Sequence, residues 1–202
     1  MLKASIAVLV SGGGTNLQAL LDAQARGELK SGEIRLVIAD RPGIGAIARA
    51  QAAGVACAVA VRREAGFEAQ VQELLAQYRI DMAVLAGFLG ILSPAFIRTF
   101  GKPILNIHPS LIPSFCGKGF YGLRVHQAAL DYGVKVTGAT VHLVNEVPDG
   151  GKILLQRAVD IRPGDTAETL QRRVMEEAEW KLLPQAVEAA AAEIVEEKEN
   201  LS

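Results

Sequence analysis

The chain has little cysteine, little histidine and almost no net charge, and each shortage excludes a class of protein. Of 202 residues, two are cysteine and three are histidine. That is too few for a disulfide scaffold, and the spacing offers no structural metal site, so we expect a reducing, cytoplasmic setting and no metal. Lysine and arginine total 21 against 22 for aspartate and glutamate, a formal net charge of −1. This balance argues against a nucleic-acid binder held by broad phosphate contacts.

Long apolar runs are also missing. The run that ends at Val10 meets Ser11 and a glycine loop, where a signal peptide would have a small-residue cleavage site. The run over residues 82–92 is broken by Gly87 and Gly90, and it is too short to cross a bilayer as a helix. Half of the residues are hydrophobic and 21% are charged, which is typical of a globular protein with a sizeable core. We therefore expect a soluble protein.

Over the first half of the chain, short runs rich in β-branched residues alternate with helical patterns. This alternation predicts a Rossmann-like α/β fold, built on a mostly parallel, right-handed doubly wound sheet. The predicted strands cover residues 6–10, 34–39, 55–61, 82–86 and 104–107, and the predicted helices cover 17–28, 44–53 and 67–78.

After Pro113 the pattern changes. Two β-branched runs flank a Pro148-Asp149-Gly150-Gly151 turn, which predicts a C-terminal antiparallel hairpin. A helical tail follows, which Pro184 is expected to interrupt. With no internal repeat and no linker, residues 1–202 are expected to form a single domain. The predicted segments are a loop at 114–122, a helix at 123–132, strands at 136–144 and 153–161, and the tail at 166–197.

A glycine loop, Ser11-Gly12-Gly13-Gly14, joins the first predicted strand to a helix that opens near Thr15 and Asn16. Glycines let the backbone approach an anion, and a helix N-terminus adds free N–H groups and a positive dipole end. The loop lacks the third glycine of the dinucleotide fingerprint and the lysine of a Walker A loop. We therefore expect a simpler phosphate site. The alternative is a tight turn in which Thr15 or Asn16 caps the helix.

Asn106 and His108 lie two residues apart at the end of a predicted strand, so their side chains point to one face of it. Pro109 ends the strand there. Because open α/β sheets bind ligands at the carboxyl ends of their strands, the pair is a candidate functional site. The alternative is a core histidine whose hydrogen bonds are satisfied internally.

The remaining signals are weaker. On its own, Asp149 before a glycine is usually just a turn residue, and the glycines after it could let a ligand or a strand pass close. His142 is as readily structural as functional, and His126 reads as a surface or core residue of a helix. Residues 85–92 either line an apolar slot or pack internally. Cys116 has no evident base partner and is not interpreted as a nucleophile.

Five segments follow one another in the order, and nearly at the spacing, of a known enzyme family. They are 10–18 (VSGGGTNLQ), 85–96 (LAGFLGILSPAF), 105–113 (LNIHPSLIP), 138–142 (GATVH) and 148–151 (PDGG). Together they closely resemble the phosphoribosylglycinamide formyltransferases, folate-dependent enzymes of purine synthesis. The Asn106-Ile107-His108-Pro109-Ser110 segment with a later Asp-Gly-Gly is typical of the wider formyltransferase superfamily, and the glycine loop narrows the resemblance to the glycinamide ribonucleotide enzymes.

The resemblance implies transfer of a formyl group from N10 of 10-formyltetrahydrofolate, a co-substrate, to the amine of glycinamide ribonucleotide. The amine attacks the formyl carbon, and Asn106 with a protonated His108 would stabilise the tetrahedral oxyanion. Asp149 would keep His108 charged and relay protons through a water. His142 would support the site without taking part directly, and neither a metal nor a nucleophilic side chain is required.

Two binding regions are also implied by the resemblance. Gly14, Thr15 and Asn16 would hold the phosphate of the ribonucleotide, and Glu179 would contact the same substrate. The folate-binding residues would be Arg63, Leu89, Gly90, Ile91, Leu92, Asn106, Asn145, Glu146, Val147, Pro148 and Asp149.

The chain also departs from the family pattern. Trp180 stands where the family has histidine, and one extra residue lies between Val174 and Pro184. Gly90 replaces a frequent arginine, so only backbone contacts to the pterin would survive there. The loop at 114–122 is longer than in the shorter form of the family, which could change how the site closes.

A formyltetrahydrofolate hydrolase is the nearest enzyme alternative, because it would share Asn106, His108 and Asp149 and transfer the formyl group to water. Such enzymes usually carry an N-terminal regulatory domain, for which a strand starting by Ile6 leaves no room.

Methionyl-tRNA formyltransferase would need a C-terminal RNA-binding domain and a basic surface, whereas residues 196–200 are acidic. A folate or nucleotide sensor that has lost catalysis would lack a member of the polar triad, whereas Asn106, His108 and Asp149 are all present here. We expect two small-molecule substrates, no nucleic-acid or membrane partner, and a monomer or weak homodimer.

Overall fold

The computed structural model describes residues 2–201, and within that range its framework is a seven-stranded sheet. The strands are β1 (Ala4–Val10), β2 (Gly32–Ala39), β3 (Ala56–Val59), β4 (Met82–Leu85), β5 (Ile104–His108), β6 (Val136–Leu143) and β7 (Ile153–Asp160). Their order in the sheet is β3-β2-β1-β4-β5-β6-β7. The first five strands pair in parallel, whereas β6 is antiparallel to β5 and β7 is antiparallel to β6. The predicted doubly wound sheet with a C-terminal hairpin is confirmed.

Helices cover both faces of this sheet, and β1 shows why. Ile6, Val8 and Val10 project into one apolar core, while Ala7 and Leu9 project into the other, because alternate residues of a strand point to opposite faces. All seven residues of β1 are buried, as expected for a parallel strand covered on both sides. The helices are α1 (Thr15–Ala25), α2 (Gly45–Ala52), α3 (Phe67–Gln77), α4 (Pro94–Phe100), α5 (Leu123–Tyr132), α6 (Ala167–Val174) and α7 (Trp180–Asn200).

Different helices cover the two faces of the sheet. Apolar residues of α1, α2, α6 and α7 pack in the first core, and those of α3 and α4 pack in the second. Across residues 2–201, none of the helices combines the length and apolarity that spanning a membrane requires.

One short helix, α4, has no counterpart among the predicted elements. Ser93 precedes it, and its hydroxyl accepts a hydrogen bond from the Phe96 N–H, while Pro94 occupies the first turn. Both are ordinary helix-start residues. With seven residues, α4 makes about two turns, too few for an apolar periodicity to be recognised.

The helical tail is interrupted, but the predicted break at Pro184 is wrong. Pro184 lies inside α7, where it removes only the hydrogen bond to the carbonyl of Trp180, and the neighbouring bonds carry the helix onward. The interruption is a π turn, Met175–Glu179, between α6 and α7. Such a turn accommodates an additional residue within a helix, and it lies in the stretch where the sequence has one residue more than the family pattern.

Candidate active site

A cavity of about 540 Å³ opens at the carboxyl ends of β1, β4 and β5. Its wall includes Ser11 just after β1, Leu85 at the end of β4, and Asn106 and His108 on β5. The strand order extends from β1 in two directions, toward β2 on one side and toward β4 on the other. Ligands of open α/β sheets bind at such a switch point.

Asp149 lies at the centre of a polar cluster on the cavity wall. Its Oδ1 is 3.4 Å from Asn106 Nδ2 and 3.5 Å from His142 Nε2, and its Oδ2 is 3.6 Å from His108 Nδ1. Asn106 and His108 share one face of β5, and His142 is the direct cross-strand partner of Asn106 on β6. The β6–β7 turn carries Asp149 to them. The structure therefore brings together the three predicted catalytic residues and the predicted supporting histidine.

His142 orients Asn106. Its Nδ1 is 2.9 Å from the carbonyl oxygen of Leu143, and its Nε2 is 3.1 Å from Asn106 Nδ2. Because a carbonyl can only accept, Nδ1 carries the ring proton and Nε2 accepts from the amide. This arrangement turns the amide nitrogen of Asn106 toward Asp149, which fits a supporting role for His142.

Burial and hydrogen bonding set the charges of the cluster. Burial lowers the pKa of His108 below its ordinary value, against the opposing effects of the Asp149 charge and the Phe115 carbonyl. Burial alone would raise the pKa of Asp149, but the neighbouring His142 ring, the charge of His108 and the Gly117 N–H together lower it. At neutral pH the free protein therefore holds an ionised Asp149 beside a largely neutral His108.

The carbonyls of the glycine loop are occupied by neighbouring groups. The first-turn N–H groups of α1 have no carbonyl of an earlier turn to bond, so they remain available to an anion. Gly14 is the N-cap residue before α1 and has φ +75°, a left-handed conformation natural to glycine. The bonds to the loop carbonyls run from the Arg41 side chain to Ser11, from the Ala46 N–H to Gly12 and from the Arg49 side chain to Gly13.

Asn16 and Glu179 form a buried polar pair beside the start of α1. Asn16 Nδ2 donates to Glu179 Oε2 at 3.1 Å, and Asn16 Oδ1 has no partner. Burial raises the pKa of Glu179 to about 7, and the hydrogen bond from Asn16 only partly offsets this. Buried acceptors without a partner are rare. Here the amide oxygen and the carboxyl group are both able to bind hydroxyl groups of a ligand.

The π turn docks on the start of α1. Its first and last residues, Met175 and Glu179, line the cavity together with Gln171. Thr15 Oγ1 is 3.6 Å from Met175 Sδ, and Asn16 bonds to Glu179. Short π turns recur at functional sites, and this one brings a carboxyl group to the anion-binding end of the cavity.

An apolar slot, formed by residues 89–92 and 145–149, makes another part of the wall. Ile91 and Val147 expose 69% and 61% of their surface. Exposed apolar side chains grouped around a cavity mark a ligand-binding region. The slot therefore suits a flat, largely apolar ring system.

A closed ring of hydrogen bonds and an ion pair fixes the backbone of this slot. Ser11 Oγ accepts the Leu89 N–H at 2.8 Å and donates to Asp40 Oδ2 at 2.7 Å. Arg62 Nε is 3.2 Å from the same carboxylate oxygen, and its Nη1 donates to the Leu89 carbonyl at 3.3 Å. Ser11 thus ties the apolar slot to the glycine loop.

All predicted site residues except Gly14 and Arg63 line the cavity. Gly14 lies behind the wall as the cap of α1. Arg63 lines neither this cavity nor a second one of about 410 Å³, whose wall contains Arg62. His126, on α5, is buried at the wall of the main cavity. The wall residues to which the sequence assigns no role include Arg41, Lys118, Tyr121, Gln171 and Met175, and none of them belongs to a recognisable motif.

A family model described as formyl transferase matches residues 4–187, and the chain belongs to the formyl transferase family. Among its members the chain is similar to phosphoribosylglycinamide formyltransferases, as the sequence motifs indicated. That of Haemophilus influenzae is 36% identical over 201 residues, which cover 98% of this chain and 92% of the relative.

Two further comparisons agree. Trifunctional purine biosynthetic protein adenosine-3 of Bos taurus is 42% identical over 202 residues; they cover 98% of this chain but only 19% of that longer relative. The crystal structure of glycinamide ribonucleotide transformylase 1 from Symbiobacterium toebii superposes with a TM-score of 0.86 at 40% identity, covering 94% of this chain and 88% of that one.

Proposed function

We propose that this protein transfers the formyl group of 10-formyltetrahydrofolate to the amine of glycinamide ribonucleotide, a step of purine synthesis. The observation that carries the proposal is the position of Asp149, within 3.6 Å of Asn106, His108 and His142, in a cavity that joins an anion-binding helix start to an apolar slot. The names of the Haemophilus influenzae and Symbiobacterium toebii relatives support the same reaction.

The ribonucleotide fits the end of the cavity at α1. Its phosphate would accept hydrogen bonds from the backbone at Gly14 and from Thr15 and Asn16, where the helix dipole favours an anion. The ribose hydroxyls would meet Glu179 and the unpartnered Asn16 Oδ1. This placement leaves the amine pointing along the cavity toward Asp149.

The folate fits the apolar slot. The pterin ring would lie between residues 89–92 and 145–149, with its polar edge against backbone groups. A Cβ at Gly90 would lie 2.6 Å from the Phe88 ring and 2.9 Å from Arg62 Cδ, so a side chain there would require both of these side chains to move. Because Gly90 has no side chain, its contacts to the folate would be made by the backbone. In this proposal Arg62, which donates to the Leu89 carbonyl, would lie at the edge of the slot, where the resemblance implied Arg63.

The chemistry is a direct attack through a tetrahedral intermediate. The amine nitrogen bonds to the formyl carbon, and the carbonyl electron pair moves to oxygen. Asn106 and protonated His108 donate hydrogen bonds to this oxyanion. The intermediate then breaks the bond to N10, which leaves with a proton that the amine gives up, and Asp149 relays that proton through a water. The products are formylglycinamide ribonucleotide and tetrahydrofolate.

Protonation of His108 belongs to the reaction rather than to the resting state. Burial keeps the imidazole largely neutral in the free protein. A negative charge that develops beside the ring raises its affinity for a proton. The oxyanion would thus be stabilised most strongly when it forms, which is the condition for raising the rate rather than the affinity.

The proposal extends to the whole chain and its setting. We take residues 1–202 as one formyltransferase domain, a monomer or weak homodimer without a catalytic metal. A cytoplasmic setting suits the two unpaired cysteines, Cys57 and Cys116.

The test follows folate ultraviolet absorbance with and without glycinamide ribonucleotide. We expect tetrahydrofolate to form only when the ribonucleotide is present, and mass spectrometry to show one formyl group added per ribonucleotide consumed. Formate release at the same rate without the ribonucleotide would identify a hydrolase and contradict the proposal.

A further inference from the structure

Phe115, in the long 114–122 loop, has an unusual relation to His108. Its backbone has φ +50°, and its carbonyl oxygen is 2.9 Å from His108 Nε2. We propose that Phe115 is a positioning residue for the formyl transfer: its left-handed backbone aims a carbonyl at His108, so that Nε2 holds a proton and Nδ1 faces Asp149. This inference rests on the proposed function, in which His108 acts on the oxyanion.

The two ring nitrogens of His108 have different partners. Nε2 donates to the Phe115 carbonyl, whereas Nδ1 is 3.6 Å from Asp149 Oδ2, longer than an ordinary hydrogen bond. Nδ1 is therefore available to a third group between the ring and the carboxylate. That position suits the oxyanion of the tetrahedral intermediate, and the carbonyl on the far side of the ring favours the doubly protonated form needed there.

The backbone of Phe115 is strained in a way that serves this contact. Residues other than glycine rarely adopt a positive φ, and such strain tends to lie at functional sites. Within residues 2–201, three non-glycine residues do so: Arg79, Phe115 and Asp149. Two of the three flank His108. The same loop also reaches Asp149, because the Gly117 N–H donates to its Oδ2 at 2.7 Å.

Aromatic packing holds Phe115 in this conformation. Its ring meets Phe120 edge-on at 6.4 Å between centroids and Tyr132 edge-on at 6.0 Å. Such pairs stabilise beyond the area they bury. Tyr132 ends α5, is 80% exposed, and does not line the cavity. A change at Tyr132 therefore loosens Phe115 without touching a bound substrate or the core.

The charge of His108 reports directly on this contact. The groups that face its ring are Asp149 from the β6–β7 turn, His142 from β6, His126 from α5 and the Phe115 carbonyl. Burial lowers the pKa of His108, while Asp149 and the carbonyl raise it. Loss of the carbonyl should therefore lower the pKa of His108 further.

Two pairs of variants test the inference. Phe115→Ala and Tyr132→Ser remove the ring contacts, and Phe115→Tyr and Tyr132→Phe retain them. Tyr132→Ser serves as the second test should Phe115→Ala fail to fold, because Tyr132 is exposed. Imidazole titration by nuclear magnetic resonance is practical, since the chain has three histidines, and the His108 signal is the one absent from His108→Ala.

We expect the titration midpoint of His108 to fall by about 0.5 pH in Phe115→Ala and Tyr132→Ser, with kcat lower by roughly tenfold and both KM values within about twofold. The conservative variants should retain the wild-type midpoint and kcat. An unchanged midpoint and kcat in both disruptive variants would overturn the inference, as would equal shifts at all three histidines, which indicate general loosening.

These outcomes are separate from those that decide the proposed function. If His108→Ala abolishes formyl transfer while the Phe115 and Tyr132 variants behave as wild type, the proposed function stands and the positioning role of Phe115 is wrong. If the wild-type protein transfers no formyl group, the proposed function is wrong, and the His108 midpoint still decides whether Phe115 controls its protonation.

Discussion

Asp149 combines an ionised carboxylate with a left-handed backbone, φ +54°, and the two properties can be tested apart. Asparagine tolerates this conformation well, so Asp149→Asn should fold normally. It removes the charge that faces His108 and the proton relay. We expect turnover to fall about 10²- to 10⁴-fold, measured as kcat with 10-formyltetrahydrofolate and glycinamide ribonucleotide. An unchanged melting temperature is the control, and near wild-type turnover would remove Asp149 from the mechanism.

Asn106 and His108 should affect rate more than binding. Both are proposed to act on charge that exists only in the transition state. We therefore expect Asn106→Ala and His108→Ala each to lower kcat by about 100-fold or more, while the dissociation constant of folate, from fluorescence titration, changes little. If either variant mainly weakened folate binding, that residue would be a binding group instead.

At the scale of elements, the start of α1 offers a matched set of glycines. A Cβ on Gly12 meets no atom within 4 Å, and Gly12 lines the cavity. A Cβ on Gly14 would lie 2.8 Å from Ala46 Cβ on α2, at a positive φ. Gly12→Val should therefore fold and raise the KM for glycinamide ribonucleotide about tenfold, with folate binding unchanged. Gly14→Val should instead lower the free energy of unfolding, because its side chain would clash with α2 and strain the backbone.

Gly13→Ala is the control for this set, because a Cβ there also meets open space while Gly13 does not line the cavity. KM for each substrate and the free energy of unfolding in urea distinguish the three variants. A Gly12→Val protein that lost folate affinity but kept normal ribonucleotide affinity would contradict the placement of the phosphate.

The elements that could be predicted are those with a strong local pattern. The inner strands β1 and β4 are buried along their whole length and show as apolar runs. The sequence also predicts α5 over the same residues that the structure shows, 123–132. The π turn could not be predicted, because it changes one turn of hydrogen bonds while the apolar pattern continues on both sides of it. Gly151 is an intermediate case: the sequence leaves a close approach open as one reading of this turn, and in the structure a Cβ there would lie 1.7 Å from the Leu143 carbonyl.

Some residues of the candidate site could likewise be predicted from the sequence, and others could not. Asn106 and His108 could be placed together because strand geometry alone aligns them. The Phe115 and Gly117 contacts to His108 and Asp149 are made by backbone groups, which leave no side-chain signal in a sequence. Arg62 and Arg63 are adjacent in an irregular loop, where no periodicity tells which of the two faces the slot.

At the scale of the whole molecule, His126 should make stability fall in mild acid. Burial lowers its pKa to about 4, against about 6.5 in the unfolded chain. The unfolded state therefore binds the proton first, and stability is lost as the pH falls from about 6.5 to about 4. His126→Leu removes this effect, so at pH 5 it should be more stable than wild type by about 2 kcal/mol relative to their difference at pH 7.5. The free energies of unfolding are measured in urea. The prediction is contradicted if the difference between His126→Leu and wild type is the same at pH 5 and at pH 7.5.

Glu179 acts on stability in the opposite direction, and it links the stability of the molecule to substrate binding. Its folded pKa is about 7, above the value of about 4.5 in the unfolded chain, so it favours folding below pH 4.5 and this contribution is lost as the pH rises through 7. Glu179→Gln keeps an acceptor for Asn16 but never ionises. We expect the variant to be more stable than wild type by about 3 kcal/mol at pH 8 and by less than about 1 kcal/mol at pH 5.

The same Glu179→Gln variant should bind the ribonucleotide less well, because a neutral amide accepts hydrogen bonds from ribose hydroxyls more weakly than a carboxylate. We expect its KM for glycinamide ribonucleotide at pH 8 to rise about tenfold while the KM for folate stays within about twofold. Urea unfolding and steady-state kinetics on one preparation measure both effects. If Glu179→Gln gained stability without a change in KM, Glu179 would be a buried structural carboxyl only. The charged carboxylate lowers the stability of the folded protein, and this loss serves substrate binding only if the carboxylate contacts the ribonucleotide.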